Sequence, residues 1–84
     1  MKWTVHWSHD AVRQLIEIAL RDGRLAKRIV SVVSTLSRGQ SVDRKKLKGD
    51  TSEWRLRSGD WRILMTLSGE HAYVDSVDNR RDAY

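Results

Sequence analysis

The chain has 84 residues, with 16 Lys plus Arg against 11 Asp plus Glu, three His, no Cys, no Pro and no Phe. A chain of that length buries only roughly 60–65% of the surface its unfolded form exposes, which allows one thin core and excludes a two-domain enzyme with an interdomain cleft. Without Cys there is no disulfide framework, thiolate zinc site or cysteine nucleophile, and the formal charge of +5 favours a polyanionic partner.

Lys2 to Trp7 alternates, with Trp3, Val5 and Trp7 on one face, and predicts a half-buried strand. Ser8 then reads as a helix N-cap, with Asp10 in the first turn where its charge meets the helix dipole. Val12, Leu15, Ile16, Ala19 and Leu20 follow at helical spacing and predict the buried stripe of a first helix, closed by Asp22-Gly23 with Gly23 as a left-handed cap. Leu25, Ile29, Val32, Val33 and Leu36 form the stripe of a second helix ended by Gly39, and the short connection predicts an antiparallel helical hairpin. Trp3 and Trp7 are expected in the core, as their burial preference suggests.

After Gly39 the period changes from helical to alternating. Three runs, Trp54 to Ser58, Trp61 to Leu67 and His71 to Val77, are separated by short loops containing Gly. The expected fold is therefore α+β in a single domain over residues 1–84: a strand, an antiparallel helical hairpin, then a mainly antiparallel meander of three to four strands. With Gly59-Asp60 as a type II′ turn, Arg57 faces Arg62, Leu56 faces Ile63 and Trp54 faces Met65. With Gly69-Glu70 as the second turn, Leu67 faces Ala72, Met65 faces Val74, Leu64 faces Asp75 and Arg62 faces Val77. This register gathers Trp54, Leu56, Trp61, Ile63, Met65, Leu67, Ala72 and Val74 on a face to lie under the helices.

The other face carries Arg55, Arg57 and Arg62. Arg57 opposite Arg62 is a like-charge pair, which destabilises a sheet and points to a use for the charge. Lys45, Lys46 and Lys48 can approach from the segment before Trp54, and Arg80 and Arg81 from the segment after Val77. Clustered guanidinium groups suit phosphate recognition, because each is permanently charged and presents paired donors. The competing reading is a solvated face whose arginines pair with Glu53, Asp60, Asp75 and Asp78, each pair contributing ~0–1 kcal/mol. His6, His9 and His71 read as surface or capping residues remote from the arginines, and their spacing gives no metal site.

Three segments carry a resemblance to a known family: Lys46-Leu47-Lys48-Gly49, Trp54-Arg55-Leu56-Arg57-Ser58-Gly59-Asp60-Trp61-Arg62-Ile63, and Val77-Asp78-Asn79-Arg80-Arg81-Asp82-Ala83-Tyr84. In this order and spacing they resemble the RelE/ParE superfamily of toxins from bacterial type II toxin–antitoxin systems. The resemblance implies the RelE-like microbial RNase fold and a cytoplasmic, ribosome-dependent mRNA endoribonuclease that cleaves translated mRNA in the ribosomal A site. It also implies a cognate antitoxin as partner, and no cofactor, metal or membrane. Matched by position, Arg62, Arg80 and Tyr84 fall on the catalytic residues and Arg55 and Lys48 on supporting basic positions, and Lys46, Arg57 and Arg81 are expected to bind RNA with them. Glu53 stands where some members are basic. Tyr84 or Lys48 would serve as the base, or Tyr84 would stack on the RNA. The alternative within the superfamily is a ParE-like inhibitor that binds DNA gyrase and cuts nothing. No stretch approaches the ~20 apolar residues of a membrane span, and the first residues lack an apolar signal core.

Overall fold

The computed structural model describes residues 2–47 and 52–79. Its elements run β1 (Thr4–Trp7), α1 (His9–Arg21), α2 (Gly23–Ser37), β2 (Arg44–Lys46), β3 (Glu53–Ser58), β4 (Trp61–Ser68) and β5 (His71–Asn79). The strands form one sheet in the order β1-β5-β4-β3-β2. The β5-β4-β3-β2 part is antiparallel, and β1 pairs parallel with β5 through Val5–Ala72 and Trp7–Val74. The sheet is thus mixed and five-stranded, with β2 a strand that the sequence pattern did not separate from its loop. The three charged side chains of β2 blunt an exposed sheet edge.

Both helices lie on one face. Ala11, Ile18, Ala26, Ile29, Val33 and Leu36 pack against Leu56, Ile63, Met65, Leu67, Ala72, Val74 and Val77, and Trp3, Trp7, Trp54 and Trp61 close the rim half-buried. Each fully buried Leu or Ile contributes about 1.5–3 kcal/mol relative to an exposed one.

Four sequence expectations change. The first-helix stripe is rotated: Ala11 and Ile18 face the core, while Val12, Ile16, Ala19 and Leu20 are exposed, Leu20 at 84%. The apolar arc of α1 is wider than the surface the sheet offers it. Its surplus lines an apolar groove of about 650 Å³ with α2, bounded by Leu15, Ile16, Ala19, Ala26 and Val30.

Gly23 opens α2 and does not close α1 in a left-handed cap; its φ is not positive. The break between helices is made by Asp22, which is extended at φ −153° and serves both ends. Its N–H donates to the Ile18 carbonyl at 2.7 Å, and its Oδ1 accepts from the N–H groups of Arg24 and Leu25. Gly39 ends α2, as expected, and takes the left-handed conformation, φ 76°. The Gly39 and Gln40 N–H groups donate to the Leu36 and Thr35 carbonyls and close α2 in a Schellman arrangement.

The third and fourth changes concern β5. The first hairpin has the expected register throughout, and in the two hairpin turns positive φ falls on Gly59 and Gly69, the first central residues, as type II′ requires. The second hairpin keeps its register only from Ser68–His71 to Met65–Val74. A bulge then makes Asp75 an extra residue, so Leu64 meets Ser76, Ile63 meets Val77 and Arg62 meets Asp78. Val77 consequently turns into the core, 3% exposed, where the unbroken alternation put it beside Arg62.

The bulge is held from outside the sheet. The Ser8 hydroxyl accepts from the Ala11 N–H at 3.0 Å as the α1 N-cap and donates to the Asp75 carbonyl at 2.9 Å. Beyond Trp7 no strand of the described residues lies beside the edge of β5, and there the Val77 N–H donates to Gln14 Oε1 of α1 at 2.7 Å. Backbone groups stranded by the bulge and by the short β1 thus find side-chain partners on the helix that crosses them.

Candidate nucleic-acid interface

Strand alternation sorts the side chains. With Leu56, Ile63, Met65 and Val74 under the helices, the open face receives Glu53, Arg55 and Arg57 from β3, Arg62, Leu64 and Thr66 from β4, and Tyr73, Asp75 and Asp78 from β5. His6 of β1 and Lys45 of β2 complete it, since His6 pairs with Tyr73 and Lys45 with Arg55.

The charges are not mixed evenly. Lys45, Arg55, Arg57 and Arg62 occupy the β2-β3-β4 side, with Glu53 among them at the start of β3, whereas Asp75 and Asp78 lie on β5. Arg57 and Arg62 are direct partners, so the like-charge pair expected from the turn is present. Arg62 stands between Arg57 on one side and Asp78 on the other, a neighbour that the bulge supplies. Asp75 is diverted: its Oδ2 accepts from the Thr66 hydroxyl at 2.7 Å. Arg55 and Arg57 form no ion pair among the described residues. The Arg55 Nε is buried with no hydrogen-bond partner among those residues. An orphaned buried N–H costs about 1–3 kcal/mol.

Among the sequence-predicted site residues, Arg55, Arg57 and Arg62 come together on this face. Lys46 does not: it pairs with Trp54 and shares the helix side of the sheet, beside Arg44, whose guanidinium lies 4.8 Å from the Trp54 ring centre. Lys45 takes the place on the open face. A two-residue period running outward from Trp54 separates Lys45 from Lys46, a signal available only once β2 is recognised as a strand. Lys48, Arg80, Arg81 and Tyr84 lie outside the described residues.

The histidines are exposed, as expected of surface residues, and two of them are neighbours. His6 and His71 meet on the open face with His6 Nε2 and His71 Nδ1 3.0 Å apart, and the His6 ring stacks on Tyr73. The residues of this cluster on β1 and β5 are 65 positions apart in sequence, and only the parallel pairing of those strands joins them.

Among the described residues no group of three or more His, Asp or Glu is placed to hold a metal ion, and no helix is long and apolar enough to cross a membrane. Two concavities among the described residues lie off the cationic face. One of about 310 Å³ sits between α1 and the β4–β5 end near Trp61 and Asn79, and the apolar groove is on the outer side of the helices. The open face is a broad charged surface, suited to a polymer more than to a small enclosed ligand.

No family model matches the chain, and no curated protein matches it significantly. Solved structures do. A chain of the toxin–antitoxin complex RelBE2 from Mycobacterium tuberculosis superposes with a TM-score of 0.78 at 23% identity, covering 95% of this chain and 100% of that one. A chain of the RelB–RelE antitoxin–toxin complex from Methanococcus jannaschii gives 0.75 at 24% identity, with 93% of each covered. A chain of the YoeB–YefM complex from Staphylococcus aureus gives 0.73 at 17%, covering 93% of this chain and 97% of that one. Superposing along nearly its whole length, this chain has the fold of the RelE- and YoeB-type toxins.

Proposed function

We propose that the chain is the toxin of a toxin–antitoxin pair and acts in the cytoplasm as a ribosome-dependent endoribonuclease on translated mRNA. The observation that carries this reading is the cationic half of the open face, where Arg57 opposes Arg62 and Arg55 and Arg57 have no acidic partner among the described residues. Likeness to chains taken from toxin–antitoxin complexes supports the toxin role.

The chemistry asked of such a face is transfer of a phosphodiester to its own 2′-hydroxyl. The 2′-oxygen forms a bond to phosphorus as the bond to the 5′-oxygen breaks, leaving a 2′,3′-cyclic phosphate and a 5′-hydroxyl. One group takes the 2′-proton, another returns a proton to the departing oxygen, and fixed positive charge stabilises the phosphorane-like transition state. In this proposal Arg62 and Arg80 clamp the non-bridging oxygens. Arg55, Arg57, Lys45, Lys48 and Arg81 hold neighbouring phosphates. Tyr84 or Lys48 takes the proton, or Tyr84 stacks against a base beside it.

The partner is an acidic antitoxin, drawn by the +5 charge. The groove between Ile16, Ala19 and Val30 is the surface on which an apolar segment of that antitoxin would pack. The test is induction of the chain in cells with mapping of mRNA ends. Cuts inside translated codons are expected, and Arg62→Ala should lower cleavage by about 100-fold while the circular dichroism spectrum and melting point stay native. Intact transcripts accompanied by a DNA supercoiling defect would overturn the nuclease reading in favour of gyrase inhibition.

A further inference from the structure

Away from the arginines, the open face is aromatic. His6 and Tyr73 are register partners across β1 and β5, and their rings stack with centroids 4.9 Å apart and planes within 18°. His71, two residues before Tyr73 on the same side of β5, has its ring centre 5.1 Å from that of His6 and 6.1 Å from that of Tyr73. One imidazole nitrogen of the 3.0 Å His6–His71 contact donates and the other accepts, which fixes the orientation of the His6 ring against Tyr73. All three side chains are exposed, Tyr73 at 40%. Burial therefore does not account for three rings held against one another on the solvent side of a sheet.

We propose that His6, His71 and Tyr73 form a stacking ledge for an unpaired base of single-stranded RNA whose phosphates lie on Arg55, Arg57 and Arg62. The proposal rests on the RNA reading above and extends it to a part of the face which that reading does not use. Tyr73 is beside Thr66, and Arg55 is beside Leu64, two residues back along β4. Two strand spacings and two residue rises put the ledge about 12 Å from Arg55. A short run of single strand covers that distance. Proteins that hold single-stranded RNA combine the two features found here, a cationic track for the backbone and ring faces for the bases. Because hydrogen bonding and stacking already order the rings, little side-chain freedom remains to be lost when a base arrives. The Asp75 carboxylate, oriented by Thr66, lies beside the ledge as an acceptor for a base N–H.

A purely structural role as a tie between β1 and β5 explains the His6–His71 bond and leaves the exposed Tyr73 stack unexplained. A metal site lacks a third ligand among the described residues.

The test is titration of the full chain with a short unstructured RNA, followed by NMR of the ring C–H groups of His6, His71 and Tyr73 and the backbone amides of Arg55 and Arg62. The expected result is ring-current shifts at all three rings together with movement at Arg55 and Arg62. Tyr73→Ala should weaken binding about tenfold, Tyr73→Phe should restore it, and the salt dependence should be unchanged because no phosphate contact is lost. His6→Ala should give a loss of the same order. Movement at Arg55 and Arg62 with the three rings unmoved, or unaltered affinity in Tyr73→Ala, overturns the ledge and leaves the RNA reading standing. An RNA that moves neither set overturns both. Ring shifts produced only by a protein partner assign the ledge to that partner and overturn the proposal.

Discussion

Replacing Arg57 by Gln separates stability from function on the cationic face. Arg57 sits directly across the ladder from Arg62 and has no ion-pair partner among the described residues. Directly opposed residues carry Cβ atoms about 4.5–5.5 Å apart, and two charges about 6 Å apart in water-like surroundings repel by about 0.7 kcal/mol before screening. At physiological ionic strength the Debye length of ~8 Å cuts this roughly in half. Arg57→Gln keeps a polar side chain, shorter by two atoms, and removes the charge, so it should stabilise the fold by about 0.5 kcal/mol at low salt, a rise of about 2–4 °C in melting temperature. The gain should shrink towards zero in about 1 M salt, where the Debye length falls to ~3 Å. The same change should lower the salt slope of RNA binding by about one phosphate contact and weaken cleavage. Paired urea or thermal melts at two ionic strengths, run beside an RNA-binding titration, measure both. A variant that is less stable than the parent at low salt, or equally stable at every salt concentration, would refute the reasoning. It would show that Arg57 is held by attraction and that the face is a solvated ion-pair surface.

Two further substitutions probe the scaffold. Ser8→Ala removes both the N-cap acceptor of α1 and the donor to the bulge carbonyl of Asp75, and should cost about 1.5 kcal/mol, or a fall of about 6–12 °C in melting temperature. Ser8→Asp keeps the cap and loses only the second bond, so differential scanning calorimetry should place it between the parent and Ser8→Ala. Gly59→Ala meets nothing within 4 Å, yet φ of +61° is unfavourable for a side chain, and the cost should be about 1–2 kcal/mol from backbone strain alone. A denaturant midpoint equal to that of the parent would show that the first hairpin turn relaxes freely.

Local chemistry announced much of the fold. Gly59 and Gly69 are each the first of two turn residues, and that placement alone sets the register from Trp54–Met65 to Ser58–Trp61 and the start of the second hairpin. Beyond Val74 the same rule misleads, because the extra residue Asp75 is tied to Ser8, 67 positions away, and no local pattern encodes that bond. The inverted face of α1 has a related cause. Val12, Ile16, Ala19 and Leu20 are as apolar as Ala11 and Ile18, and which arc meets the sheet is decided by where β5 lies. Arg55, Arg57 and Arg62 were legible as a group because strand period and turn type place them together. The choice of Lys45 over Lys46 required β2 to be seen as a strand, and the His6–His71–Tyr73 cluster required knowledge that β1 runs parallel to β5.

The parallel seam between β1 and β5 also bears on when the protein first becomes itself. Val5 and Trp7 find their strand partners in Ala72 and Val74, so a growing chain carries β1 without a strand to join until some 65 further residues have been synthesised, as the His6–His71 separation of 65 shows. Loop-closure entropy must be met before that seam offsets it, which makes its formation the slow, non-local step of folding. Until β5 emerges, the meander cannot be completed and Asp78 cannot come beside Arg62. A nascent copy of this chain is thereby kept from assembling its finished open face before β5 has been made.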